Sequence, residues 1–190
     1  IAGNDDGTML FFKNDSGYLM AINIENSGIG DDNEDPAVPD DGDEAGTADV
    51  FVTVTSKGAV NVAQEKVKVK DIDNDGKLTL NDALYIAHEN FYEGGAAAGY
   101  GSSFGEYGLS LNKLWGDDSG CFGYRVNNKS ALSLGDTVKE GDYVNAYIYK
   151  DQVGYSDLYT WFDKNFLSVK SGEQFTLSLY ACLLYTSDAA

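Results

Sequence analysis

The chain has 190 residues, enough for one ordinary domain or two small ones, and its 31 acidic residues against 13 basic ones give a formal net charge of -18 that sets phosphate backbones aside as partners. Hydrophobic residues at 43% and aromatics at 13% supply a packed core and exclude global disorder. One His and two Cys leave most His-dependent and multi-Cys metal or triad chemistries without residues, so the composition leans against an enzyme.

The chain opens with Ile1 and reads as an interior fragment of a longer protein, so its first residues say nothing about targeting. Residues 8–24 are two apolar runs around Asn14-Asp15-Ser16-Gly17, a hairpin signal. With Asp6-Gly7-Thr8 ahead and Tyr18 after the turn, the wording resembles a blade of quinoprotein-like β-propeller repeats. The resemblance implies that residues 1–30 are a propeller remnant. From Asp31 to Glu44 stand eight acidic residues, no basic one and both prolines, Pro36 and Pro39, so 31–47 is expected to be a solvated, self-repelling linker. No run of about 18 apolar residues spans a membrane.

From Ala48 the composition changes. Val50, Val52 and Val54 alternate with Phe51, Thr53 and Thr55 as a half-buried strand does, and Val67 and Val69 alternate with Lys66, Lys68 and Lys70. Ala83, Leu84, Ile86, Ala87 and Phe91 are spaced for one helix, stopped by Gly94-Gly95. After the Gly-rich stretch 94–108, strands are expected at 109–114, 122–126 and 142–150. In the last, Val144, Ala146 and Ile148 share one face and Tyr143, Tyr147 and Tyr149 the other.

The strongest motif joins the second of these strands to the helix: Asp71-Ile72-Asp73-Asn74-Asp75-Gly76-Lys77-Leu78-Thr79-Leu80-Asn81-Asp82. Side-chain oxygens recur at loop positions 1, 3, 5, 9 and 12, with Gly at position 6 where an EF-hand-like loop turns sharply. A hard cation such as Ca²⁺ is matched by the carboxylates of Asp71, Asp73 and Asp75, the carbonyl of Lys77, Thr79 directly or through water, and Asp82 closing the site. The bland alternative is an Asp-rich turn without an ion, in which the carboxylates repel one another. The loop resembles that of dockerins, in which Asp commonly closes the site. A dockerin carries two such loops, whereas this chain has one and a strand leads into it, so cohesin binding is not carried over. Nothing near the loop supplies an activated nucleophile, and the ion's expected role is structural.

Asn81-Asp82-Ala83-Leu84 opening the helix, Phe122-Gly123-Tyr124-Arg125-Val126-Asn127-Asn128 as strand and turn, and Lys139-Glu140-Gly141-Asp142-Tyr143-Val144 entering the last long strand carry a second resemblance. Residues 48–163 resemble the families related to the C-terminal domain of transcobalamin, which implies an α+β, β-grasp-like domain with one main helix. Phe122 and Asn128 stand where those families usually have Trp and Gly, and a cobalamin contact is not carried over. Residues 164–181, with Leu167, Val169, a Ser171-Gly172-Glu173 turn, then Phe175, Leu177 and Leu179, resemble the first hairpin of a bacterial immunoglobulin-like module. The order of parts is similar to modular surface proteins of Gram-positive gut bacteria, which implies an extracellular or cell-surface location. Residues 182–190 read as the translation of a transposase-type sequencing adapter, an expected artefact of an assembled environmental fragment that leaves Cys121 without a disulfide partner.

No catalytic residue is assigned. His88 has no Ser or Cys placed beside it and reads as an ordinary surface or half-buried helix residue. Cys121 lacks a positioned His or helix N-terminus. Asp117-Asp118 reads as a turn rather than a carboxylate pair. The tyrosine face of Tyr143, Tyr147 and Tyr149, with Trp115 and Trp161 elsewhere in the chain, is either a solvated or interface surface or a ligand face that stacks on sugar rings. The expected function is a non-enzymatic, Ca²⁺-stabilised module serving as spacer or adhesion element, with a glycan or surface protein as partner. The alternative is a carbohydrate- or small-ligand-binding module, accessory to a surface hydrolase. The oligomeric state is left open.

Overall fold

A computed structural model describes residues 46–106 and 108–182 with their side chains, and the backbone alone of 2–3, 9–13, 19–23 and 183. The linker at 31–47, apart from its last two residues, lies outside the described residues, as do the turn at 14–17 and the tail from 184 onward. Strands β1 (Ala2–Gly3), β2 (Met9–Lys13) and β3 (Leu19–Asn23) form an antiparallel sheet in that order. The two apolar runs pair from Met9↔Asn23 to Lys13↔Leu19.

The chain then builds β4 (Thr47–Ser56) and β5 (Ala59–Lys70), joined by Lys57-Gly58 with φ of 51° and 89°. Two successive left-handed residues give the tight turn whose twist matches an antiparallel pair. Helix α1 (Leu80–Phe91) follows the Asp-rich loop, and a short α2 (Gly95–Gly99) lies within the Gly-rich stretch. Next come β6 (Gly101–Gly105), β7 (Gly108–Lys113), β8 (Phe122–Val126), β9 (Lys129–Ser130), β10 (Tyr143–Ile148), β11 (Leu158–Phe162) and β12 (Leu179–Leu183). The class is α+β with strands predominating.

One five-stranded sheet runs β5-β4-β10-β8-β9, with β10 parallel to β4 and the other pairs antiparallel. The parallel pair holds the centre, from Tyr143↔Phe51 to Ile148↔Ser56, because Val50, Val52, Val54, Val144, Ala146 and Ile148 on its inner face meet α1. From α1 come Leu80, Ala83, Leu84 and Ala87, all fully buried. Each such Leu contributes roughly 1.5–3 kcal/mol by leaving water.

The Gly-rich stretch is packed rather than open. A Cβ at Gly99 or Gly116 would collide with Tyr92, and the Gly116 N–H donates to the Gly99 carbonyl at 2.9 Å. Asn127 and Asn128 both take left-handed φ, 49° and 65°, and close β8 onto β9. Asn tolerates that region.

Two segments depart from their sequence patterns. The tyrosine face of β10 is largely covered: Tyr147 and Tyr149 are 8% and 7% exposed, because β11 packs Tyr159 against Tyr147 and the segment before it packs Tyr155 against Tyr149. The immunoglobulin-like hairpin does not form as a strand pair. Its turn exists, with the Glu173 N–H donating to the Lys170 carbonyl, but residues 163–178 carry no strand, and Leu179–Leu183 pairs with Leu158–Phe162 across the boundary drawn at 163/164. The apolar residues Tyr159, Trp161 and Tyr180 find one another instead, Trp161 stacking on Tyr180 at 5.6 Å. No helix among the described residues is long and apolar enough to cross a membrane.

Candidate functional site

The Asp-rich loop is held by its own backbone. Asn74 and Gly76 adopt φ of 59° and 83°, which turns successive N–H groups inward. Space around the Gly76 Cα is open, so glycine is needed there for its φ alone. Asp71 accepts from the N–H groups of Gly76 at 2.9 Å and Asp75 at 3.3 Å, and the Lys77 N–H donates to the Asp75 carboxylate at 2.9 Å.

Asp82 is fully buried at the third residue of α1 and serves two structures at once. One oxygen accepts from the Thr79 N–H at 2.7 Å and hydroxyl at 2.6 Å, while the Asp82 N–H donates back to Thr79 in a capping box. Its other oxygen accepts from the Ile72 N–H at 3.1 Å, tying the loop's start to its end.

One carboxylate oxygen from each of Asp71, Asp73 and Asp82 lies within 4.8 Å of the other two. Of the four expected carboxylates the fold thus brings three together. Asp75 is turned to the Lys77 N–H, and the Thr79 hydroxyl is committed to the helix cap. The electrostatics are uneven: backbone donors, Gly76 first, hold Asp71 below the usual carboxylate range, while desolvation and the charges of Asp75 and Asp82 push Asp73 up. A divalent cation would relieve that repulsion, and the oxygen-only donor set suits Ca²⁺ or Mg²⁺ rather than a softer metal.

The expected ligand face is split. Tyr143 and Tyr147 line a groove between the outer face of the sheet and β11, whereas Tyr149 lies outside it, edge-on to Tyr147. The groove has a volume of about 190 Å³ and also takes in Asn128, Asn145, Tyr159 and Trp161. Asn128 and Tyr159 carried no site role in the sequence. Their signal was the pair of asparagines at the β8–β9 turn and the Tyr-x-Trp spacing that puts two rings on one face of β11.

His88 is fully buried rather than at the surface. Its Nε2 accepts from the Trp115 N–H at 3.1 Å, which fixes the proton on Nδ1, and Nδ1–H donates to the Leu84 carbonyl at 2.6 Å. Both ring nitrogens are thus spent on structure, and burial lowers its pKa. Cys121 Sγ has only a weak contact with the Tyr155 hydroxyl at 3.8 Å. Asp117 pairs with Lys57 at 2.7 Å and accepts from the Ser119 N–H, the turn role expected of it.

Comparison of the chain with family models, with curated proteins and with solved structures gave no match.

Proposed function

We propose that residues 48–163 are a non-enzymatic, Ca²⁺-stabilised, β-grasp-like module of an extracellular modular surface protein, acting as a spacer or adhesion element. The observation that carries the reading is the convergence of Asp71, Asp73 and Asp82 at the junction of β5 and α1, within a loop whose residue types follow EF-hand spacing. An ion there would clamp the strand to the helix that covers the sheet. The β-grasp reading is supported by the sheet order: numbering β4, β5, β8, β9 and β10 one to five, the strands lie two-one-five-three-four, with one and five parallel and the helix crossing after two. The non-enzymatic reading is supported by His88, whose nitrogens are both occupied.

The test is calorimetric titration of the chain with Ca²⁺. One ion per chain is expected, with a dissociation constant of roughly 10⁻⁴ to 10⁻³ M, the range of extracellular calcium modules. Asp73→Asn should abolish the heat. Absence of saturable binding in the unsubstituted chain would remove the metal from the reading.

A further inference from the structure

The groove beside β11 shares no residue with the Asp-rich loop and carries its own chemistry. Three kinds of group line it. Tyr143, Tyr147, Tyr159 and Trp161 supply aromatic rings, Asn128 and Asn145 supply amides, and Lys150 and Lys164 supply cations. Its single carboxylate, Asp157, is 6% exposed and accepts from the backbone N–H groups of Lys150 and Asp151 at 2.7 and 2.9 Å, which disperses its charge. The groove is therefore basic in a chain whose formal net charge is -18.

Behind its wall stands Arg125, the one arginine of the chain. It is 8% exposed, and its Nε has no hydrogen-bond partner. The guanidinium carbon lies 4.5 Å from the ring centroid of Tyr159, and Nη1 donates to the Asn128 carbonyl at 3.1 Å. The ion pairs formed among the described residues use Lys57, Lys66 and Lys68, not Arg125. A buried cation with no ion-pair partner among the described residues is costly, and a ring face, one carbonyl and the Tyr147 hydroxyl offset only part of that cost. No carboxylate among the described residues supplies that counter-charge. An anionic group brought into the groove would supply it across one aromatic ring.

The geometry points to a site for a carboxylate-bearing sugar of the uronic-acid type, one ring or a short acidic oligosaccharide, held against the Tyr159 and Trp161 wall. The aromatic faces take the apolar C–H face of a pyranose ring. The Asn128 Oδ1 already accepts from the Tyr159 hydroxyl at 2.8 Å, which leaves its NH₂ and the Asn145 amide to meet the sugar hydroxyls, while Lys150, Lys164 and the field of Arg125 favour its carboxylate. At about 190 Å³ the groove is smaller than the roughly 300–1,000 Å³ of drug-sized pockets, which suits a ligand of this size. The bulge of β5 at Gln64, where φ is 53° and the N–H donates to Thr53 Oγ1 at 3.1 Å, shapes the far side of the groove. Bulges commonly re-aim side chains beside such sites.

The experiment is calorimetric titration of the full chain with glucuronate, galacturonate and their short oligomers, beside glucose and galactose, each in saturating Ca²⁺ and again in chelator. The acidic sugars are expected to bind at least about tenfold more tightly than the neutral ones, with a preference that shrinks as salt is added. Trp161→Ala and Tyr143→Ala should each cost about tenfold or more, while the double variant Lys150→Gln, Lys164→Gln should bring the acidic sugars down to the neutral ones. Circular dichroism and melting of the variants, matched to the unsubstituted chain, separate lost contacts from lost fold. Equal affinity for acidic and neutral sugars, binding that survives Trp161→Ala, or no binding by any of the sugars overturns the proposal. Because the two sites share no residue, sugar binding that fails in Ca²⁺ leaves the metal reading standing, and failure to bind Ca²⁺ leaves this one standing.

Discussion

His88 is bonded through both ring nitrogens, so a second proton on the ring would face the Trp115 N–H. Burial lowers its folded pKa below the ordinary 6.5. The unfolded chain therefore binds the proton more readily, and the His88 contribution to stability is full above about pH 6.5 and is lost progressively as pH falls below it toward the lowered folded value. Urea unfolding at descending pH should show stability falling once pH drops below about 6.5, and His88→Phe should flatten that slope while lowering stability at neutral pH. An unchanged slope would mean the ring is not held as described. Asp117 acts lower on the scale: Lys57 and then Ser119 depress it to about 2, so its share is present above 3.8 and goes as pH falls toward 2. Gly123 makes a third residue-scale case. It pairs directly with Tyr147, and a Cβ there would strike that ring. Gly123→Ala should destabilise by roughly 1–3 kcal/mol and displace Tyr147, measured by denaturant midpoint and tyrosine fluorescence. The burial of His88 was readable in outline, since it stands four residues after Leu84 on the helix's apolar face. Its partner Trp115 was not, because a contact across 27 residues has no local signature.

Among the elements, those with a clear period formed where alternation placed them: 109–114 as Gly108–Lys113, and 122–126 unchanged. Helix α1 begins at Leu80, three residues before the first apolar residue of its pattern, because Thr79 and Asp82 cap it. Thr79 thus carries a helix cap whatever the loop binds. In chelator, Thr79→Ala should cost roughly 0.5–2 kcal/mol and Thr79→Ser little, read from unfolding curves without any ion. The elements that periodicity missed are those decided by tertiary contact. Leu167 and Val169 alternate as a strand does, yet Phe166 and Phe175 stay about half exposed and β12 turns to β11 instead. A face pattern says that a segment wants a partner, not which one. Ending the chain after Ala181 removes two of the five β11–β12 register pairs, Leu158↔Leu183 and Tyr159↔Cys182, and no member of the buried core. The main thermal transition should then move by less than about 2 °C. A larger drop would show that the arm supports the sheet.

At the scale of the whole molecule, the parallel pair β4–β10 at the sheet centre brings together segments some ninety residues apart, and α1 covers the seam. The Asp-rich loop lies where that helix begins, so its order bears on the entire sandwich of helix and sheet rather than on one surface turn. Residue types and spacing made the loop legible before any coordinates. The inward turn of Asp82, its double use as cap and loop closure, and the departure of Asp75 from the cluster were not, because a position-by-position reading assigns each oxygen to a single task. The groove was legible only as half a tyrosine stripe, since its other wall comes from β11. The central claim is that Ca²⁺ and folding are coupled through Asp71, Asp73 and Asp82, and thermal unfolding of the full chain in excess chelator and in millimolar Ca²⁺ tests it most directly. With Ca²⁺ about tenfold above its dissociation constant, linkage gives roughly 1.4 kcal/mol, a rise in melting temperature of about 5 °C. That rise should be lost in Asp71→Asn and poorly reproduced by Mg²⁺, whose small octahedral shell gives up water reluctantly. Superimposable unfolding curves in chelator and in Ca²⁺ would contradict the claim.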